Sequence, residues 1–293
     1  MKIDNAVLVL EGGAMRGVFT AGVLDYLMEQ NIWITKTIGV SAGSCNAIDY
    51  ASKQIGRSRD CMIVTKKEEQ YLHPFRALRS QGMDMEMLFD KYPHDLHPFD
   101  FEAYKDSEIT MELDITNCLN GKSEYVVLDH DDGEASLAYC KASCSMPIVC
   151  SPVMIHGIPY VDGGVADSIP LKHVMEKYPN CKPIVIKTQM PTYRKTPLSK
   201  IKAKGIKRAL KKYPLLAETI VKRPEAYNEE VEFINEMERQ GKCYVMAPSM
   251  QPPTQMEKKE DVLTDFYQHG LNLMKSELPL LLEYLGVDTQ IEK

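Results

Sequence analysis

The sequence predicts an α/β protein: a three-layer α/β/α fold around a mainly parallel central sheet, with additional helices at the C-terminal end. Three observations predict it. Twice within the first fifty residues a short apolar run ends in a glycine-containing turn that opens a helix, and that unit builds parallel sheets covered by helices. Further along, apolar runs flank two tight-turn pairs, Asn120-Gly121 and His156-Gly157. After about residue 190 the texture changes to long amphipathic helices.

Taken in order, residues 5–10 (NAVLVL) read as the first strand, Glu11-Gly12-Gly13 as its turn, and 17–30 as a helix with apolar Val18, Phe19, Val23, Leu24, Leu27 and Met28. Residues 36–40 (KTIGV) form the second strand, and a helix follows from 42 to about 53. The stretch 55–107 reads as helices and loops laid over the sheet. Residues 109–117 and 125–128 form a hairpin around Asn120-Gly121, and 135–144 a helix that stops before Pro147. A second hairpin, 153–155 with 158–161, delivers the chain to Asp162-Gly163-Gly164. A helix over 170–178 and a strand over 183–187 (PIVIK) follow, and 242–246 (KCYVM) is a last sheet strand. The expected organisation is a main domain over 1–190 and a mostly helical extension over 191–293 packed on it.

Length and composition narrow the class. A chain of 293 residues supports one large core, and 44% hydrophobic with 26% charged residues is the ordinary globular mix. A net charge of −6 argues against a nucleic-acid partner. The N-terminal apolar run is short and lies between Asp4 and Glu11, so it reads as a strand and not as an export signal. No run approaches the roughly 18 apolar residues of a membrane span. The eight cysteines contain no CxxC pair and no zinc-like spacing, which implies reduced, mostly buried thiols, a cytoplasmic setting and no metal or cofactor.

Gly39-Val40-Ser41-Ala42-Gly43 fits G-x-S-x-G, the strand-to-helix elbow that pushes a serine hydroxyl outward and places it at a helix N-terminus. The pattern alone arises by chance on the order of once in ten chains of this length, taking glycine at about 7% of residues. Its position between a strand and a helix therefore decides. Glu11-Gly12-Gly13-Ala14-Met15-Arg16-Gly17 is a glycine turn whose N–H groups can face an oxyanion, each such donor being worth about 10² to 10³ in rate. Gly12, Ala14 and Gly17 also half match a dinucleotide-binding turn, but residues 32–40 lack the acid that this reading needs. Asp162 in Tyr160-Val161-Asp162-Gly163-Gly164 follows a strand, and the bland alternative for it is a turn aspartate.

The glycine loop ending in Arg16-Gly17, the elbow at Ser41 and the later Asp162-Gly163 pair, in this order, resemble the patatin-like phospholipases. Residues 116–125 (TNCLNGKSEY) and 142–152 (ASCSMPIVCSP) look like that family's intervening segments, so the likeness covers about residues 5–190. Residues 262–285 are similar to a short helical extension found on some bacterial members. The resemblance implies a serine acyl hydrolase, a phospholipase A-like esterase. Ser41 is then the nucleophile, Asp162 its base, and the N–H groups of Gly12, Gly13, Ala14 and Met15 the oxyanion hole, supported by Arg16, Gly17, Gly39, Gly43 and Gly163. Ala14 departs from the family pattern, which has a third glycine there; at positive φ an alanine costs about 1–2 kcal/mol.

Three further readings follow. In a Ser/Asp/His hydrolase the histidine follows the acid, which makes His173 and His269 the candidates. Residues 194–212 hold nine Lys or Arg and no acid, with Lys200, Lys204, Lys207 and Lys211 at helical spacing; this suits peripheral contact with an anionic inner-membrane surface, against the alternative of a solvated helix face. A catalytically silent lipid-binding protein of the same fold is the second functional class, and acyl-lipid binding without turnover distinguishes it.

Overall fold

The computed structural model describes residues 1–73 and 82–287. Its strands are β1 (Lys2–Ile3), β2 (Ala6–Leu10), β3 (Trp33–Ile34), β4 (Lys36–Val40), β5 (Thr110–Asn117), β6 (Ser123–Val127), β7 (Val153–Ile155), β8 (Ile158–Asp162), β9 (Lys182–Ile186) and β10 (Tyr244–Met246). The main sheet runs β10-β9-β2-β4-β5-β8-β7, with β6 also paired to β5. Parallel ladders join β10 through β5, and β6, β7 and β8 are antiparallel.

The helices are α1 (Gly17–Glu29), α2 (Ala42–Ala51), α3 (Arg57–Met62), α4 (Phe101–Lys105), α5 (Gly133–Ser143), α6 (Leu171–Lys177), α7 (Lys200–Ala209), α8 (Pro214–Arg239) and α9 (Glu260–Leu285). β2 shows why the sequence reads as a continuous apolar run. Its side chains alternate between faces, and both faces are covered. Ala6, Leu8 and Leu10 enter the core beneath α1, α2, α5 and α9; Val7 and Val9 enter a second core with α6 and α8. This is the expected three-layer arrangement.

Two features were not legible in the sequence pattern. β1 and β3 pair as a separate two-stranded parallel sheet, each too short to show a period. The stretch 55–107 resolves into α3, α4 and a π-helical segment, Met87–Leu96, that contains Pro93; proline has no N–H for an ordinary helical bond, and irregular winding accommodates it. Residues 74–81 of that stretch lie outside the described residues.

The sheet brings together two strand ends that are distant in sequence. Along one edge of β5, β4 pairs as far as Val40 opposite Asp114, and β8 arrives from the other direction with Asp162 opposite Ile115. Because Asp114 and Ile115 are consecutive, the residue after β4 and the last residue of β8 must be neighbours. Those residues are Ser41 and Asp162.

Candidate active site

Ser41 sits at φ 55°, ψ −125°, between the end of β4 and the first turn of α2, a strained conformation that the surroundings must hold. Its N–H donates to Ser143 Oγ at 2.9 Å, and that hydroxyl donates to the Asp114 carbonyl at 2.7 Å. Its carbonyl accepts from Ser44 N and Ser44 Oγ, at 2.8 and 2.6 Å. The flanking glycines answer to crowding: a Cβ on Gly43 would lie 2.3 Å from the Leu10 carbonyl, and one on Gly39 2.5 Å from the Gly43 carbonyl.

Ser41 Oγ donates to Asp162 Oδ2 at 2.7 Å. The other carboxylate oxygen accepts from Gly164 N at 2.8 Å, while Gly163 presses against the backbone of Asp114. Both side chains are buried, at 7% and 5% exposure. Burial raises the Asp162 pKa above the ordinary carboxylate value, and Arg223, the Ser41 hydroxyl, the Gly164 N–H and Lys195 pull it back.

The glycine loop lies against this pair, with Gly12 so near that a Cβ would come within 2.8 Å of Ser41 Cβ. Among the described residues the N–H groups of Gly12, Gly13 and Ala14 donate to no acceptor, whereas Met15 N reaches the Gln255 carbonyl at 3.4 Å and Arg16 N the Gly13 carbonyl at 3.2 Å. Met15 is thus set apart from the three amides with which the sequence groups it. Ala14 is at φ 50°, so the strain foreseen for an alanine in the loop is present. Gly17 begins α1 against Ala42. Arg16 Nε is buried without a partner among the described residues, and burial lowers the guanidinium pKa.

Residues with no local signature brace the loop. Glu11 accepts from Thr188 N at 2.6 Å and from the Tyr227 hydroxyl at 2.8 Å, and Thr188 Oγ1 donates to the Gly12 carbonyl at 2.8 Å. Thr188 follows β9 and Tyr227 belongs to α8, so only the folded chain brings them to the turn.

Two cavities meet at Ser41. One is apolar, with Met15, Cys45, Ile48, Leu88 and Phe89 in its wall. The other is polar, walled by Glu11, Arg16, Asp162, Lys195, Arg223 and Tyr227. Ser41, Ala14 and Met146 line both. Sequence reasoning missed Lys195 and Arg223, because a lysine in a basic run and an arginine in a long helix carry no motif.

Neither candidate histidine reaches Ser41. His173 Nε2 is 2.9 Å from Glu112 Oε1 and the ring stacks on Tyr125. His269 Nε2 accepts from Ser249 N at 3.0 Å, beside Phe19 and Phe266. No described histidine lines either cavity. The basic run also divides: Lys195 lines the polar cavity, Lys200, Lys204 and Lys207 lie on α7, and Lys211 falls beyond its end.

A family model described as Patatin-like phospholipase matches residues 8–175, and one described as a domain of unknown function (DUF6363) matches 213–286. The uncharacterized protein YjjU of Escherichia coli K12 is 28% identical over 200 residues, covering 63% of this chain and 52% of that protein. The probable lipid hydrolase 463L of Invertebrate iridescent virus 6 is 26% identical over 199 residues, covering 60% of this chain and 64% of its own. Lysophospholipase nte1 of Aspergillus niger is 26% identical over 174 residues, 57% of this chain and 11% of that protein. The chain therefore spans about half to two thirds of the first two relatives and a small part of the third. With the matched segment holding the loop, the elbow and the Asp162-Gly163 pair and covering more than half the chain, the protein belongs to the patatin-like phospholipase family.

Proposed function

We propose that the protein is a serine acyl hydrolase acting on acyl lipids, a phospholipase A-like carboxylic ester hydrolase with a Ser41-Asp162 dyad. One observation carries it: Ser41 Oγ bonds to Asp162 Oδ2 at 2.7 Å where an apolar cavity opens. The acyl chain occupies that cavity. Ser41 Oγ attacks the ester carbonyl and passes its proton to Asp162, and the N–H groups of Gly12, Gly13 and Ala14 meet the oxyanion. Asp162 returns the proton to the departing alcohol. Water then attacks the acyl-enzyme, again losing a proton to Asp162, which returns it to Ser41 Oγ as the carboxylic acid departs. The names lipid hydrolase and lysophospholipase borne by relatives support this substrate class.

Replacing Ser41 by Ala or Asp162 by Asn is expected to lower kcat/KM on a long-chain acyl ester by about 10³-fold or more, while His173→Ala and His269→Ala stay near wild type. Because Asp162 works as its carboxylate and burial raises its pKa, the rate is expected to fall as pH drops through a limb above the ordinary carboxylate range, and to level off above it. Wild-type turnover by Asp162→Asn, or lipid binding with no turnover by the wild type, contradicts the proposal.

A surface feature supports access to substrate from a membrane face. α7 has no buried residue, carries Lys200, Lys202, Lys204, Lys207 and Arg208, and leaves Ile201 86% exposed. Basic residues beside an exposed apolar side chain suit peripheral contact with anionic lipid at a cytoplasmic membrane surface. Among the described residues no helix is long and apolar enough to cross a membrane.

A further inference from the structure

The polar cavity carries more positive charge than the dyad needs. Arg16, Lys195 and Arg223 face it together. Among the described residues none of the three makes an ion pair, the buried pairs being formed by other groups such as Arg57 with Asp49 and Lys177 with Glu112. Arg223 spends only Nε, on the Gly164 carbonyl at 2.5 Å. Lys195 Nζ sits 3.7 Å from the centre of the Tyr227 ring, and Arg16 Nε is buried without a partner among the described residues.

Half-buried cations crowded together repel one another and lose hydration, and the carboxylates within reach, Glu11, Asp162 and Glu230, offset this only in part. Lys195 registers the cost: burial first, then Arg223, pushes its ammonium down to about 7. The two carboxylates in the wall are already engaged. Glu11 accepts from Thr188 and Tyr227, and Asp162 from Ser41 and Gly164. Among the described residues the wall thus presents unused donors to an anion and no unengaged carboxylate to an ammonium. A phosphoryl group, with several acceptor oxygens, matches a guanidinium fork flanked by a lysine.

We infer that this cavity is a subsite for an unsubstituted phosphoryl group on the substrate, held by Lys195 and Arg223 with Arg16, so that the protein selects acyl esters of a phosphorylated alcohol over neutral and zwitterionic ones. The inference rests on the acyl hydrolase reading for the role of Ser41. It assigns a task to the C-terminal part of the chain, since Lys195 and Arg223 both lie beyond the segment that defines the family. With Ser41 at the junction, the ester bond lies between an acyl chain in the apolar cavity and a phosphate in the polar one.

The test reads binding and not turnover, so that it stays legible if the hydrolase reading fails. The Ser41→Ala protein and its Lys195→Met and Lys195→Arg derivatives are titrated calorimetrically with octanoylglycerol phosphate, octanoylglycerol, octanoylglycerophosphocholine and inorganic phosphate. The phosphate ester is expected to bind at least tenfold more tightly than the other two lipids, and inorganic phosphate to compete away that advantage. Lys195→Met is expected to reduce the preference by about tenfold to a hundredfold, the worth of one charge-assisted hydrogen bond. Lys195→Arg is expected to keep most of it. If Lys195→Met does not fold, Lys195→Gln reads the same contrast. Equal binding of the three lipids overturns the inference, also where inorganic phosphate binds, because the site then serves the free anion. Equal losses for all lipids in Lys195→Met overturn it too, because Lys195 then acts by general positioning. Absence of turnover by the wild type, with the binding preference intact, removes the hydrolase reading and leaves the subsite standing.

Discussion

At the scale of single residues, two of the six non-glycine positions at positive φ among the described residues border the same point, where the two cavities meet. Ser41 at φ 55° and Ala14 at φ 50° each cost about 1–3 kcal/mol. For Ser41 the holding contacts are visible in the bonds from Ser143 and Ser44. At Ala14, Ala14→Gly should relieve about 1–2 kcal/mol of strain, offset by about 0.4–1 kcal/mol from the freer unfolded chain. The expected net is a gain of about 0 to 1.6 kcal/mol, checked by denaturant unfolding of the two proteins. A loss greater than about 1 kcal/mol would contradict a left-handed alanine in the loop. What the sequence displays here is local: Gly39 and Gly43 flag the crowding at the elbow because their spacing is fixed by the turn. Ser143, Thr188, Lys195 and Arg223 lie more than a hundred residues beyond Ser41 in sequence, and their importance has no signature in their neighbours.

At the scale of elements, the meeting of β4 and β8 along β5 explains why a serine and an aspartate 121 residues apart share a hydrogen bond. The hairpin that carries Asp162 was legible from the His156-Gly157 turn, and the elbow from its glycines. The partner strand that aligns them was not, because strand order is written in no single stretch of sequence. The packing of α9 on α1 is a second such case. A Cβ on Gly270 would lie 2.1 Å from the Phe19 carbonyl, and one on Gly22 2.2 Å from the Tyr267 carbonyl, so the two backbones approach through paired glycines. Gly270→Ala is expected to destabilise by about 1–3 kcal/mol through overpacking, despite the better helix propensity of alanine. Gly205→Ala in α7, with nothing within 4 Å, is the control and should stabilise by roughly 0.5–1 kcal/mol. Thermal unfolding of both variants separates the effects; a stabilising Gly270→Ala would contradict the close crossing.

At the scale of the whole molecule, the sheet supplies the hydrogen-bonded pair Ser41 and Asp162, the helices over one face supply the apolar cavity, and segments after residue 190 close the polar one. The sequence conveyed the layers because both faces of β2 are apolar, but not the cavities, which are spaces between elements far apart in the chain. It conveyed the basic run as one feature, whereas folding turns Lys195 inward and leaves α7 outward. Accordingly, α7 is expected to draw the protein to vesicles containing anionic lipid, and replacing Lys200, Lys204 and Lys207 by Gln to weaken sedimentation with them at low salt. Equal binding to neutral vesicles would contradict an electrostatic contact.

The central claim is that Ser41 is an activated hydroxyl, primed by Asp162. A fluorophosphonate probe followed by intact-mass and peptide analysis tests it most directly. The expected result is a single adduct on Ser41, absent from Ser41→Ala and formed far more slowly in Asp162→Asn. Labelling of another residue, or labelling of Ser41 at an unchanged rate without the aspartate, would contradict the account.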